Sequence, residues 1–284
     1  MAIKKNDLEF YDLSANQWWS KNSQIYALYY LNQPRFEFFD RYISQWQELK
    51  VLDVGCGGGF SCEFMAKKGA ITYGIDSSAK CIEVAQKHSC ENSLNINYQV
   101  GIAENLPYQN RTFDVVICVD VLEHVSDYCQ VVSEIYRVLK PGGIFLYDTI
   151  NRNFQSRFVM IWLMENLLGL IPQGVHDWHK FIQPEELNKL MLSLGFIDVE
   201  IKGFDLFGEI GFLLGELNNL RKNLKFDRSL QAAFIRKLVK VWQTNIFNYR
   251  LYRKTGSFQV NINDDMSIMY IGKAKKRDEY DFFS

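Results

Sequence analysis

With 284 residues, 48% of them apolar, the chain can bury a full core and is too large to be a small module held together by disulfides or a metal. A formal charge of −1 excludes a global electrostatic attraction to nucleic acid, so any basic partner surface must be local. The six cysteines, Cys56, Cys62, Cys81, Cys90, Cys118 and Cys129, contain no CxxC pair and sit mostly in apolar runs, which reads as reduced thiols of a cytoplasmic protein. The opening "MAIKKNDLEF" lacks the apolar centre of a secretory signal.

Residues 1–48 carry an aromatic helical pattern, "FYDLSANQWWS" and "YALYYLNQPRFEFFDRYI", and are predicted to form an N-terminal helical cap. Trp18, Trp19, Tyr29, Tyr30, Phe38 and Phe39 suit a pocket cover or a dimer face equally, so periodicity leaves the oligomeric state open. From Lys50, β-branched runs alternate with helical patterns: "KVLDVG", "FSCEFMAKKGA", "ITYGID", "SAKCIEVAQKHSCEN", "INYQV", then "FDVVICVD", "DYCQVVSEIYRVLKPGG" and "IFLYDTI". Such alternation predicts a Rossmann-like, doubly wound α/β fold with a mostly parallel sheet. "LKPGG" reads as a helix stop and tight turn. "FIDVEIKGF" and residues 266–274, "MSIMYIGKA", complete an expected seven strands. The expected organisation is a core at 49–205, a helical lid insertion at 206–258, and a last strand and frayed tail at 259–284.

The first strand ends in "LDVGCGGGF". Asp53, Gly55, Gly57 and Gly59 give D-x-G-x-G-x-G, a loop that lets a ligand approach the backbone at the carboxyl edge of the sheet. Phe60 stands where a dinucleotide loop needs its last glycine, which argues against NAD. The second strand ends at Asp76, followed by Ser77, about 20 residues on, where an acid accepts hydrogen bonds from ribose hydroxyls. Ala103 and Glu104 stand at the next strand edge, beside which an adenine can stack, and "FDVVICVD" presents Val119.

Beyond it, "VDVLEHV" spaces Asp120, Glu123 and His124 by three and four, one face of a helix if the segment is helical. Three uses are open: metal binding, proton transfer, or no more than capping and solvating a helix. In "GVHDWHKF", His176 suits a general base with Asp177 orienting it; the alternative is that His176 shapes the pocket and Asp177 caps the next helix. The apolar residues 158–171 are broken by Glu165 and Asn166 and fall short of the roughly 20 residues that span a bilayer. Core packing and an interfacial segment entering lipid through Trp162 and Leu163 are both open. Residues 210–258 hold ten Lys or Arg and two acids; a stripe of Leu230, Phe234, Leu238, Val241 and Trp242 makes a lid helix or a basic membrane-facing surface.

Loop, acid, "FDVV" strand and "LKPGG" in this order resemble the class I S-adenosylmethionine-dependent methyltransferases. "QWW", "LNQPRFEF", "LEHV", "INRNFQSRF" and "IPQGVHDWHKFIQPEEL" narrow the likeness to the ubiquinone-biosynthesis O-methyltransferases, over about residues 10–205. The resemblance implies that Arg35, Gly55, Asp76 and Val119 bind S-adenosylmethionine, with Arg35 on the methionine carboxylate. It also implies a divalent metal, Mg²⁺, Mn²⁺ or Zn²⁺, at Asp120, Glu123 and His124, although an aspartate replaces the family's first glutamate. The small-molecule acceptor would be a phenol or catechol, and the partners would include a membrane surface but no nucleic acid. Another natural product with an oxygen or nitrogen acceptor, or a non-catalytic cofactor-binding scaffold, are the competing expectations.

Overall fold

The computed structural model describes residues 6, 8–167, 169, 171–206 and 260–278. The β-branched runs form β1 (Lys50–Val54), β2 (Ile71–Asp76), β3 (Ile96–Val100), β4 (Phe113–Cys118), β5 (Leu139–Ile150), β6 (Phe196–Asp205), β7 (Asn261–Asn263) and β8 (Met269–Lys276). They make one sheet in the order β3-β2-β1-β4-β5-β8-β6-β7. Strands β1 to β5 pair in parallel, and β8 runs antiparallel between β5 and β6. The sequence led us to expect seven strands; the eighth is β7, which pairs Asn261 with Asp205 at the sheet edge. Three residues are too few to show a strand period.

Alternation along the strands builds two cores. Val51, Val115, Ile117 and Leu146 face one side, where Phe36, Phe38 and Phe39 of α2 (Ala27–Phe39) and Met65 of α3 (Phe60–Lys67) cover them. Leu52, Val54, Val116 and Cys118 face the other, against Val131 and Ile135 of α5 (Tyr128–Val138) and Leu187 and Met191 of α7 (Pro184–Leu194). Burial on both faces explains why these strands read as continuous apolar runs.

"LKPGG" differs from expectation. Helix α5 stops at Val138, but Leu139 pairs with Phe113 before the register jumps to Val115 opposite Ile144. Pro141 and the glycines therefore make an irregularity within the start of β5 rather than a free turn, because strand pairing captures Leu139 first.

Before the sheet lie α1 (Glu9–Ser14) and α2; α4 (Ala79–Glu91) follows β2. After β5, α6 (Phe154–Ser156) opens with a capping box between Asn153 and Ser156 and runs into a π-helical stretch, Arg157–Leu167. Phe154, Phe158 and Trp162 stack along it with ring centroids 6.3 and 4.8 Å apart. No helix among the described residues is long and apolar enough to cross a membrane. Apart from Leu206, the insertion 206–258 and its apolar stripe lie outside the described residues.

Candidate functional site

Strand order reverses between β1 and β4, and a crevice at the carboxyl ends of such strands is where open α/β sheets bind ligands. A cavity of about 720 Å³ lies there, bordered by the β1 loop, Asp76, Ser77, Ala103, Glu104, Val119 and Arg35. Gly55 and Gly57 have φ of +75° and +50°, and a Cβ on either would come within 2.3 Å of Val121 or Trp18. Both the backbone twist and the close packing therefore require glycine. Asp76 fixes the loop by accepting the N–H of Gly57 at 2.8 Å and that of Ser78 at 2.8 Å. Burial raises its carboxyl above the ordinary value, opposed by these backbone donors. Asp53 is buried beneath the loop and accepts from the Cys62 thiol at 3.3 Å.

Of the aromatic residues that suited a pocket cover or a dimer face, Trp18 and Trp19 lie over the loop. The Trp18 indole lies over Gly57 and Gly58, and Trp19 donates to the Gly58 carbonyl at 2.9 Å. Two buried donors bordering the cavity, Trp18 Nε1 and Asn32 Nδ2, have no hydrogen-bond partner. A buried donor without an acceptor is costly, and S-adenosylmethionine would bring a carboxylate and ribose oxygens. With the Asp76 carboxylate at the end of β2 and a glycine-walled cavity of ligand size, these residues fit that cofactor.

Arg35 is engaged differently from the sequence expectation. It is 2% exposed, with Nε donating to Asp148 and an Nη2 hydrogen bond to Asp120. The guanidinium thus ties α2 to β5 and to the turn after β4. Its surroundings make it first a counter-charge for two carboxylates.

The segment 119–125 is a turn, not a helix: the His124 N–H closes on the Val121 carbonyl at 2.8 Å, and Asp120 has φ of +54°. Without helical winding the three candidate metal ligands part company. Asp120 faces Arg35, Glu123 accepts from Thr149 Oγ1 at 2.8 Å, and His124 Nδ1 lies 3.0 Å from Asn6 Oδ1. Among the described residues no group of three such side chains is placed to hold a metal ion. The donor set does not fit the metal that the resemblance implied.

His124 and His176 stack, ring centroids 5.3 Å apart, and His124 borders the cavity. Burial holds His124 well below its ordinary pKa, aided by His176 and Lys180. Asp177 does not orient His176. It caps the short 3-10 turn Trp178–Lys180, accepting the His179 N–H at 3.1 Å. The carboxylate on His176 is Glu165, 2.7 Å from Nδ1. Its sequence signal was an acid alone in an apolar run, the pattern of a buried and partnered charge.

Buried carboxyls set a pH dependence. Burial pushes Asp53 from 3.8 up to about 7, and burial with the Asp120 charge pushes Glu123 from 4.5 up to about 8. The folded state holds these protons after the unfolded chain has lost them, so their stabilising contribution is complete below pH 4 and is lost as pH rises through 7 to 8. Urea midpoints of the cofactor-free protein should therefore fall between pH 5 and pH 8.5. A midpoint that rises over that interval would show that these groups ionise freely in the fold.

Residues 52–147 match the family described as "Methyltransferase domain". A ubiquinone biosynthesis O-methyltransferase of Histophilus somni is 39% identical over 190 residues, 65% of this chain and 80% of that protein. One from Coxiella burnetii is 37% identical over 201 residues, 71% and 86%. Among solved structures, magnesium protoporphyrin IX methyltransferase of Synechocystis, with bound S-adenosylhomocysteine, aligns with a TM-score of 0.57 at 14% identity, covering 95% of each chain. That likeness concerns the fold.

Proposed function

The chain belongs to the class I S-adenosylmethionine-dependent methyltransferases, in the family of the ubiquinone biosynthesis O-methyltransferases, and on that premise we propose that it methylates a phenolic or catechol hydroxyl of a prenylated quinone precursor. The observation that carries this reading is the His124–His176 stack, which joins a buried, carboxylate-held imidazole to the wall of the cofactor cavity.

When bound, S-adenosylmethionine supplies an electrophilic methyl group on a sulfonium. We assign Asp76 and Ser77 to the ribose, Ala103, Glu104 and Val119 to the adenine side, and Gly55 and Gly57 to close backbone approach, with Asp53 supporting the loop from below. Arg35 orders the methionine end from its place between Asp120 and Asp148. Trp18 and Trp19 cover the loop and exclude water, which strengthens every polar contact beneath them. His176 takes the acceptor proton, and neutral His124 holds its ring in place. Residues 1–48 act in this reading as the cap and 206–258 as the acceptor-side lid.

The test is S-adenosylhomocysteine release from chelator-stripped protein given a short-chain prenylated catechol, with and without added Mg²⁺, Mn²⁺ or Zn²⁺. Turnover without metal is expected. Strict metal dependence would mean that Asp120, Glu123 and His124 rearrange into a ligand set. No turnover in either case would remove this acceptor class.

A prenylated acceptor partitions into a bilayer, and we propose that the π-helical stretch meets the membrane surface. Trp162 and Leu167 are exposed there, as is Phe154, whereas Leu163 is buried. Of the two places left open for it, Leu163 thus takes the core and Trp162 the surface, because a helical surface seats only one stripe outward. Trp162→Glu with Leu167→Glu should weaken liposome flotation by about tenfold or more. Equal flotation of variant and wild type would exclude this surface.

A further inference from the structure

Glu165 belongs to no recognised motif and is 4% exposed. Its carboxylate accepts two backbone N–H groups, that of Gly174 at 2.9 Å and that of His176 at 3.0 Å, and lies 2.7 Å from His176 Nδ1. Burying a carboxylate is costly unless donors surround it; here both backbone donors and the ring nitrogen beside them come from the loop that carries His176. The same side chain therefore holds that loop and meets the imidazole. The Phe181 ring, edge-on at 5.8 Å, and the stacked His124 hold the ring plane.

An ionised carboxylate only accepts hydrogen bonds, so the ring nitrogen facing it must carry the proton; a neutral imidazole has one N–H, which leaves its other nitrogen bare. We propose that Glu165 is the positioning residue of the acceptor site, fixing the proton of neutral His176 on Nδ1 so that Nε2 is the lone pair that receives the acceptor hydroxyl's proton. This rests on the reading of His176 as the base. In the step, the acceptor O–H bond breaks with its proton passing to Nε2. The oxygen pair then forms the bond to the methyl carbon, and the carbon–sulfur pair returns to sulfur. The imidazolium so formed lies against the Glu165 carboxylate, which stabilises its charge.

The experiment is long-range ¹H–¹⁵N spectroscopy of the full chain at pH 8. It has four histidines, and the His176 resonances are identified by their loss in His176→Asn. In wild type, His176 should carry its proton on Nδ1. In Glu165→Ala the proton should move to Nε2, with kcat on a prenylated catechol falling about 10²-fold and S-adenosylmethionine affinity by calorimetry changing less than about twofold. Because alanine leaves two backbone N–H groups without an acceptor, Glu165→Gln is the second variant. Its amide oxygen has the same reach and should recover part of both the tautomer and kcat. A wild-type proton on Nε2, or an alanine variant with unchanged tautomer and kcat, would overturn the role of Glu165. If the tautomer responds as expected but His176→Asn turns over like wild type, the base reading itself fails, a result distinct from the other two.

Discussion

His176→Asn should bind S-adenosylmethionine as wild type does and transfer the methyl group about 10²- to 10⁴-fold more slowly. Asparagine is chosen because its amide nitrogen stands near the place of Nδ1, which lies 2.7 Å from Glu165 in wild type, and can donate to that carboxylate. The loop around Gly174 then retains its anchor, and only the second ring nitrogen is lost. Nothing in the cavity wall changes, since His124 rather than His176 borders it. Single-turnover rates alongside calorimetric cofactor affinity separate the two effects. A rate loss below tenfold would take His176 out of the chemistry, and a large loss of cofactor affinity would mean that the site had collapsed.

Arg35→Met should cost about 3–5 kcal/mol of stability and lower Tm by roughly 10 °C. Asp148 is fully buried and Asp120 about one-fifth exposed. Without the guanidinium, one buried carboxylate and its partly buried neighbour repel each other with no counter-charge. Burial already pushes Asp148 up to about 7 against the pull of Arg35. In the variant the carboxyl can escape charge only by taking a proton, so the loss should be larger at pH 8 than at pH 5. Denaturant titrations at the two pH values check the sign. Adding Asp120→Asn and Asp148→Asn to Arg35→Met should restore part of the stability, since the cost lies in uncompensated charge rather than lost packing. A variant within about 1 kcal/mol of wild type at pH 8 would show that water reaches the pair.

Much of the fold was legible because the central strands are buried on both faces and read as apolar runs, with helical patterns between them. β7 was not, since three residues carry no period. The cofactor loop was legible for a local reason: Gly55, Gly57 and Asp76 answer to backbone conformation and to the end of a strand. The surroundings of Arg35, His124 and His176 depended on contacts between residues distant in sequence. The i, i+3, i+4 spacing of Asp120, Glu123 and His124 implied one face only if the segment wound into a helix, and pairing of the Asp120 N–H with Asp148 Oδ1 at 2.8 Å helps hold it as a turn. Asp177, adjacent to His176, was open to orienting it or to capping the next turn, and it caps; the carboxylate beside the His176 ring comes from Glu165, eleven positions earlier in the chain.

The sequence by itself determined the doubly wound sheet, the glycine loop after β1 and the acid at the end of β2, because strand burial, glycine φ and strand ends are local properties that residue types report directly. Only the tertiary structure decided which carboxylate meets which cation or imidazole: Arg35 with Asp148 and Asp120, Glu165 with His176, and Trp18 over Gly57. Those pairings arise where separate elements meet, and a buried charge is stabilised by whichever partner the packing brings within hydrogen-bond distance, which spacing along the chain does not encode.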